Sequence, residues 1–313
     1  MAESFIEVHN LIKSYGAFKA LQGLSFEVGR GEFFGLLGPN GAGKTTTISL
    51  LTGLLQPNEG TILIEGGNLA GHPRQYKARL GLVPQDFAFY PSLSARDNLR
   101  FFGRLYGLWG RLLQQRIQSA LEAVQLPERD GQAVKTFSNG MKRRLNIAIA
   151  LLHQPEILIL DEPTVGVDAQ SRNAILETIQ MLNRNGTTVL YTTHLMEEAE
   201  RFCHRVAILD QGKIMALDTP QALVNRLGGG MIRVVFDRAI DNTLQGQLAL
   251  LGSFHLSYDQ EVTIDLDGGN KLVVLKKLLD LNQGENRKIK SLNLIDSNLE
   301  TVFLRLTGKQ LRD

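Results

Sequence analysis

Hydrophobic and polar positions change rhythm several times along the chain. Up to about residue 35, apolar residues alternate with polar ones and Gly31 punctuates the run, which predicts short β-strands. Residues 44–55 carry helical spacing, and "GTILIEG" returns to strand. From Leu93 to Ala150 the pattern is helical. Beyond it, "EILILD", "TTVLYTT" and "RVAILDQGKIMAL" read as strands, separated by the helical "AQSRNAILETIQMLNRNG" and "HLMEEAERFC". Such alternation predicts an α/β fold, a mostly parallel sheet covered by helices. The block at about 87–152 is then a helical insertion on that core.

"LGGG" at 227–230 reads as a linker. It separates a first domain, 1–226, from a second, 229–313. The second contains "MIRVVFDR", "FHLSYDQEVTIDLDGGNKLVVLKKLLDLNQ" and "IKSLNLIDSNLETVFLRLTG", which predict a small α+β unit with strands first and a helix last.

Composition narrows the classes. The 313 residues suffice for two domains, and 43% hydrophobic content is ordinary for a globular chain. Lys plus Arg number 34 against 32 Asp plus Glu, a net charge of +2. That balance offers nucleic acid little to hold, so no nucleic-acid partner is expected. Cys203 is the single cysteine, so no intrachain disulfide can form, which fits a reducing compartment. No apolar run reaches the length of a membrane span, and "MAESFIEVHN" lacks the basic start and apolar core of a secretory signal. At a membrane, another chain would have to hold this one.

The densest chemistry lies in "GPNGAGKTT", which is Gly38, Pro39, Asn40, Gly41, Ala42, Gly43, Lys44, Thr45 and Thr46. It fits G-x-x-x-x-G-K-[ST] after a strand-like "FFGLL" and opens a helix. Glycines let backbone N–H groups curl around phosphate oxygens, and the helix directs its positive end at the same anion. Lys44 can reach the β- and γ-phosphates, a charge pair worth about 4 kcal/mol at about 4 Å and an effective dielectric near 20. The Thr45 hydroxyl can sit on Mg²⁺. In "ILILDEP", four aliphatics precede Asp161 and Glu162. That is a strand buried on both faces, with its acids at the carboxyl end where parallel sheets bind ligands. Asp161 can hold Mg²⁺ through water, and Glu162 can act as general base toward an attacking water.

"GPNGAGKTT", "ILILDEP" and the segment between them resemble the nucleotide-binding subunits of ATP-binding cassette (ABC) transporters, over roughly residues 4–220. The resemblance implies a P-loop cassette with an N-terminal antiparallel β subdomain and a helical subdomain, binding ATP and Mg²⁺. By it, adenine stacks on Tyr15 in "KSYGAFKAL", and Gln85 in "GLVPQDF" touches Mg²⁺ and the water. His194 in "TTHLMEE" contacts the γ-phosphate, and Asp168 belongs to a loop that crosses to the opposite subunit. The alternative for Tyr15 is a core tyrosine in a β turn; a lone histidine is more often structural, but the strand-end placement of His194 favours the site. Phe87, Phe89, Tyr90 and Leu93 are either a packed core corner or, by the resemblance, a groove for a short helix of a membrane subunit.

The family's signature reads Leu-Ser-Gly-Gly-Gln. Here the stretch is Phe137-Ser138-Asn139-Gly140-Met141. Ser138 is a good N-cap. In the family the loop grips the γ-phosphate bound by the partner subunit, through the serine and N–H groups at a helix start. Asn139 replaces a glycine; Asn is the non-glycine best able to visit positive φ, where a typical L-residue pays about 1–2 kcal/mol. Met141 lacks an amide, so hydrolysis is expected to be active but slow. The following helix carries Met141, Leu145, Ala148, Ile149 and Leu152 on one apolar face, and at least two of Lys142, Arg143 and Arg144 are expected to be solvated.

Three functions compete: the ATPase half of an exporter, a soluble cassette ATPase acting on ribosomes or nucleic acid, and an unrelated P-loop kinase or GTPase. Gln85, Ser138–Gly140, Asp168 and His194 around one core disfavour the third. One cassette and no heptad run disfavour the second. "SNLETVFLRLTG" resembles the end of bacterial exporter ATPases that serve separate membrane subunits, and Leu299, Val302, Phe303 and Leu306 share a helical face. The expected protein is thus a peripheral subunit on the cytoplasmic face of the cell membrane. It would pair with a permease and with a second copy of itself or a homologous ATPase.

Overall fold

The computed structural model describes residues 4–71, 73–126, 129–227, 230–265, 271–284, 288–295 and 297–307. The chain divides into two compact units, Met1–Leu217 and Asp218–Asp313.

In the first unit, β1 (Ser4–Tyr15) and β2 (Phe18–Gly29) form an antiparallel hairpin, extended by β4 (Glu59–Ile64) and β5 (Gly67–Asn68) in the order β2-β1-β4-β5. These strands are longer than the short ones expected, because register shifts such as that between Val8 and Leu11 let one strand continue through the irregular positions. The second sheet is six-stranded, in the order β10-β9-β3-β8-β7-β6. It comprises β3 (Phe33–Leu37), β6 (Leu80–Val83), β7 (Ile157–Asp161), β8 (Thr188–Thr193), β9 (Arg205–Asp210) and β10 (Lys213–Asp218). The pairs β6–β7, β7–β8, β8–β3 and β3–β9 are parallel. Every residue of β3, β7 and β8 is buried, as a sheet covered on both faces requires.

Helix α1 (Lys44–Leu51) lies in the core between the sheets: Ile48 and Leu51 join Ile6, Leu21 and Phe26 of the antiparallel sheet to Phe34, Leu36 and Ile159 of the parallel one. Phe26 stacks on Phe34 with centroids 5.4 Å apart. A short helix, α2 (Pro73–Lys77), precedes β6. The insertion holds α3 (Ala95–Leu105), α4 (Gly110–Ala123) and α5 (Asn139–Leu151). Helices α6 (Ala169–Arg184) and α7 (Met196–Phe202) link β7 to β8 and β8 to β9.

The second unit comprises α8 (Pro220–Leu227), β11 (Met231–Phe236), α9 (Asn242–Ala249), β12 (Phe254–Tyr258), β13 (Glu261–Asp265), α10 (Lys271–Gly284), β14 (Ile289–Ile295) and α11 (Leu299–Thr307). Its strands run antiparallel in the order β12-β13-β11-β14, a split βαβ arrangement. Strands therefore do not all come first. Helix α9 stands between them, started by Asp241, whose carboxylate accepts the Leu244 N–H, and buried at Leu244 and Leu248; α10 follows β13. The unit begins before the expected 226/229 boundary because α8 packs on α11, where Arg305 donates to the Leu227 carbonyl at 3.1 Å. Gly228 and Gly229 of the expected linker lie outside the described residues, as does Gly308 at the end of the tail motif. In α11, Leu299, Val302 and Phe303 are buried.

Candidate nucleotide site

Four adjacent strands of the parallel sheet release their chains on one side. β3 ends before Gly38, β6 before Gln85, β7 at Asp161 and β8 before His194. Open parallel sheets hold ligands at this carboxyl edge. A cleft of about 400 Å³ opens there, within the usual range for ligand pockets. It is lined by Asn40, Gly41 and Gly43 to Thr46, by Tyr15 and Phe18 from the β1–β2 hairpin, and by Gln85 and Glu162.

The loop before α1 is shaped by close approach. A Cβ on Gly38 would sit 2.4 Å from the Leu209 carbonyl oxygen, and Gly43, at φ 107°, would place one 2.6 Å from the Leu21 side chain. Backbone bonds from Gly212 N–H to Ala42 O (3.0 Å) and from Gln22 N–H to Gly212 O (2.9 Å) brace the loop against its neighbours. Lys44 Nζ donates to the Gly38 carbonyl at 2.7 Å and to the Pro39 carbonyl at 3.1 Å, and lies 3.0 Å from Glu162 Oε1.

Glu162 occupies the left-handed region at φ 46°, uncommon for a non-glycine residue. Its N–H is held by the Thr192 carbonyl (3.2 Å) and hydroxyl (3.0 Å), and the same hydroxyl donates to Asp161 Oδ1 at 2.6 Å. Thr192 thus sets both acids at once. His194 Nδ1 stands 3.3 Å from Glu162 Oε2, so that carboxylate faces a cation on one side and an imidazole on the other. Behind His194, buried Glu198 accepts from the Tyr191 hydroxyl (2.6 Å) and the Thr193 hydroxyl (2.9 Å), and Thr193 accepts the Leu195 N–H (2.9 Å). Complete burial, then the Glu198 carboxylate, pushes the Tyr191 phenol well above its ordinary range.

The expected site residues fall into two groups. Tyr15, Asn40, Gly41, Gly43 to Thr46, Gln85 and Glu162 share the cleft, Gly38, Pro39 and buried Ala42 are not among its lining, and Asp161 and His194 adjoin Glu162. Tyr15 is 49% exposed, so it is not a core tyrosine. Ser138, Asn139, Gly140, Met141 and Asp168 are not among the residues lining this cleft; Asn139 and Gly140 instead meet the segment around Asp168, at Gly166 and Ser171. The Ser138 hydroxyl caps α5 by accepting the Met141 N–H at 3.2 Å. Asn139 Nδ2 donates to the Gly166 carbonyl at 3.3 Å, and a Cβ on Gly140 would lie 2.4 Å from the Ser171 hydroxyl. Asp168 caps α6 by accepting the Ser171 N–H at 2.9 Å, and that bond holds its carboxyl below the usual range.

Packing decides three points. Asn139 starts α5 and is not at positive φ, so its tolerance of that region is not called on. Arg143 is buried rather than solvated, and the Arg144 guanidinium donates to the Val124 and Gln125 carbonyls at 3.3 and 3.2 Å. Both basics point inward because α5 is enclosed on most of its circumference, and backbone carbonyls receive them; burial lowers both pKa values. Phe87, Tyr90 and Leu93 are exposed and so do not form a core corner. Sequence reasoning missed Phe18, although its place three residues after Tyr15 in "YGAF" marks a hairpin pair. It also missed Thr192, Glu198 and Arg143, whose roles come from tertiary partners.

The family model described as "ABC transporter" matches residues 21–165. The chain is 43% identical over 312 residues to the linearmycin resistance ATP-binding protein LnrL of Bacillus subtilis (strain 168), covering 98% of this chain and 100% of that protein. It is 39% identical over 315 residues to Nod factor export ATP-binding protein I of Paraburkholderia xenovorans (strain LB400), covering 100% of both. Among solved structures it resembles the dimeric post-hydrolysis state of the cassette MJ0796 bound to ADP and Pi. The TM-score there is 0.63 at 25% identity, over 68% of this chain and 98% of that one. With similarity running the full length of such relatives, the chain belongs to the ABC transporter family, as one of its ATP-binding subunits.

Proposed function

We propose that this ATPase subunit powers an exporter by hydrolysing ATP at a head-to-tail dimer interface. The observation that carries the reading is Glu162, set between Lys44 and His194 at the wall of the cleft. In this reading the phosphate loop holds the triphosphate, with Lys44 on the β- and γ-phosphates, and adenine stacks on Tyr15. Glu162 takes a proton from the attacking water as the new bond to the γ-phosphorus forms and the bond to the bridging oxygen breaks, giving ADP and Pi. His194 steadies the γ-phosphate. Thr45, Gln85 and Asp161 are hard oxygen donors suited to Mg²⁺ shared with phosphate oxygens. When bound, that ion neutralises phosphate charge. Ser138–Met141 and Asp168 serve the ATP of a second copy or a homologous subunit, which accords with their standing apart from their own cleft.

Relatives named for linearmycin resistance and Nod factor export favour an exporter over a ribosome- or nucleic-acid-directed ATPase. Among the described residues no helix is long and apolar enough to cross a membrane, so a separate permease supplies the path. It would seat a short helix against Phe87, Phe89, Tyr90 and Leu93 and hold the subunit at the cytoplasmic face. The second unit, Asp218–Asp313, serves as an accessory or dimerisation domain. The test is Pi release by the purified chain. Glu162→Gln should bind ATP, accumulate as a dimer on size exclusion, and lose turnover by about a hundredfold or more. Unchanged turnover in that variant would remove Glu162 from its role.

A further inference from the structure

Buried side chains of the helical insertion grip the backbone around Gln85. Arg143, in α5, is 6% exposed. Its guanidinium donates to the Pro84 carbonyl at 3.3 Å and to the Gln85 carbonyl, and reaches the Val165 carbonyl, beyond β7, at 3.5 Å. It also lies over the Phe87 ring, 4.8 Å from the centroid, and Phe87 stacks on Phe89. One turn along α5, Asn146 accepts the Ala88 N–H at 3.2 Å and donates to the Asp86 carbonyl at 3.3 Å. From α3, fully buried Asn98 accepts the Tyr90 N–H at 2.7 Å and donates to the Tyr90 carbonyl at 3.0 Å. From Pro84 to Tyr90 the chain thus hangs on α3 and α5. A guanidinium has five donors in a rigid fork, so it can hold several carbonyls at once where a lysine meets one point.

We propose that Arg143 and Asn146 form a latch that makes the Gln85 segment move as one body with the helix beginning at Ser138. The latch thereby fixes where Gln85 stands relative to Ser138, and the Val165 contact ties the same helix to the segment that leads to Asp168. Arg143 is a positioning residue, acting through backbone that carries Gln85. The consequence for catalysis rests on the reading of Gln85 and Ser138 given above; the latch itself rests on the contacts alone.

The test is amide hydrogen exchange on the full chain and on Arg143→Met and Asn146→Ala, with turnover measured in parallel. Exchange over residues 84–90 should quicken about tenfold or more, the scale of a lost charge-assisted hydrogen bond, while β7 and the second half of α5 keep native rates. In Arg143→Met, kcat should fall about tenfold at unchanged KM for ATP, and adding Gln85→Ala should lower it no further than Gln85→Ala alone. The proposal is overturned by unchanged exchange at 84–90, by exchange rising equally through β7 and α5, or by kcat losses that multiply. Should Arg143→Met not fold, Arg143→Lys keeps charge and stem but cannot span the carbonyls, and the same local pattern is expected. The exchange measurement needs no turnover, so an inactive wild type would sink the ATPase reading and leave the latch to be judged by exchange.

Discussion

Lys44 and Glu162 pair at 3.0 Å with side chains only 5% and 7% exposed. A cation from the phosphate loop and an acid from the end of β7 thus meet across two elements distant in sequence. Removing one member of a buried pair leaves the other uncompensated, at a cost of about 3–5 kcal/mol. Lys44→Ala should therefore lower the melting temperature and weaken binding of a fluorescent ATP analogue by about a hundredfold or more. Binding within a fewfold of wild type would show that the lysine does not face the phosphates.

The hairpin residue Tyr15 is half-exposed at the cleft wall, opposite Phe18 across β1 and β2. Stacking of a base on such a ring is worth about 1–3 kcal/mol, so Tyr15→Ala should raise the Kd for ATP by about five- to a hundredfold. Tyr15→Trp should retain affinity. Inorganic tripolyphosphate, which has no base to stack, should bind wild type and Tyr15→Ala alike in calorimetry; equal weakening of both ligands would place Tyr15's effect on the phosphates instead.

Asn139 and Gly140, neighbours in the signature loop, should respond to substitution to different degrees. Asn139 has helical backbone, so Asn139→Gly relieves no strain and should leave turnover unchanged or lower it slightly as the bond to Gly166 is lost. Gly140→Ala forces a Cβ to 2.4 Å from the Ser171 hydroxyl and 2.5 Å from its Cβ, which should cost about 1–3 kcal/mol in urea denaturation and lower turnover. A faster Asn139→Gly enzyme, or a Gly140→Ala enzyme of wild-type stability and rate, would contradict the packing described.

Stability should depend on His153. Its Nε2 lies 3.0 Å from the Leu80 carbonyl and its ring stacks on Tyr106 at 4.0 Å, and burial holds its pKa below the ordinary 6.5. The folded chain thus keeps a neutral ring where the unfolded chain takes a proton. This contribution is present above pH 6.5 and is lost as pH falls from there toward the folded pKa. Urea midpoints should drop as pH falls below about 6.5 in wild type, and His153→Gln should show a flatter profile there. Parallel profiles would mean that His153 titrates alike in both states.

The sequence alone determined what depends on contiguous residues. "GPNGAGKTT" after a buried strand is a local backbone device, and the four aliphatics before Asp161 have the continuous apolar pattern that an interior strand requires. The α/β alternation and the acid and phosphate motifs were legible for that reason, and the resemblance they supported named the family. Tertiary structure decided what depends on neighbours far along the chain. Asn139 read as a residue able to stand in for glycine at positive φ, but its place in the first turn of α5 requires no such backbone. Arg143 looked solvated because basic residues usually are, yet carbonyls from Pro84, Gln85 and Val165 converge on it. Glu162 adopts its left-handed backbone because Thr192, thirty positions later, holds its N–H. Periodicity reports which face of an element meets apolar surroundings; which polar groups meet across elements is set by packing, and in this chain packing sets the geometry around Gln85, Glu162 and Ser138.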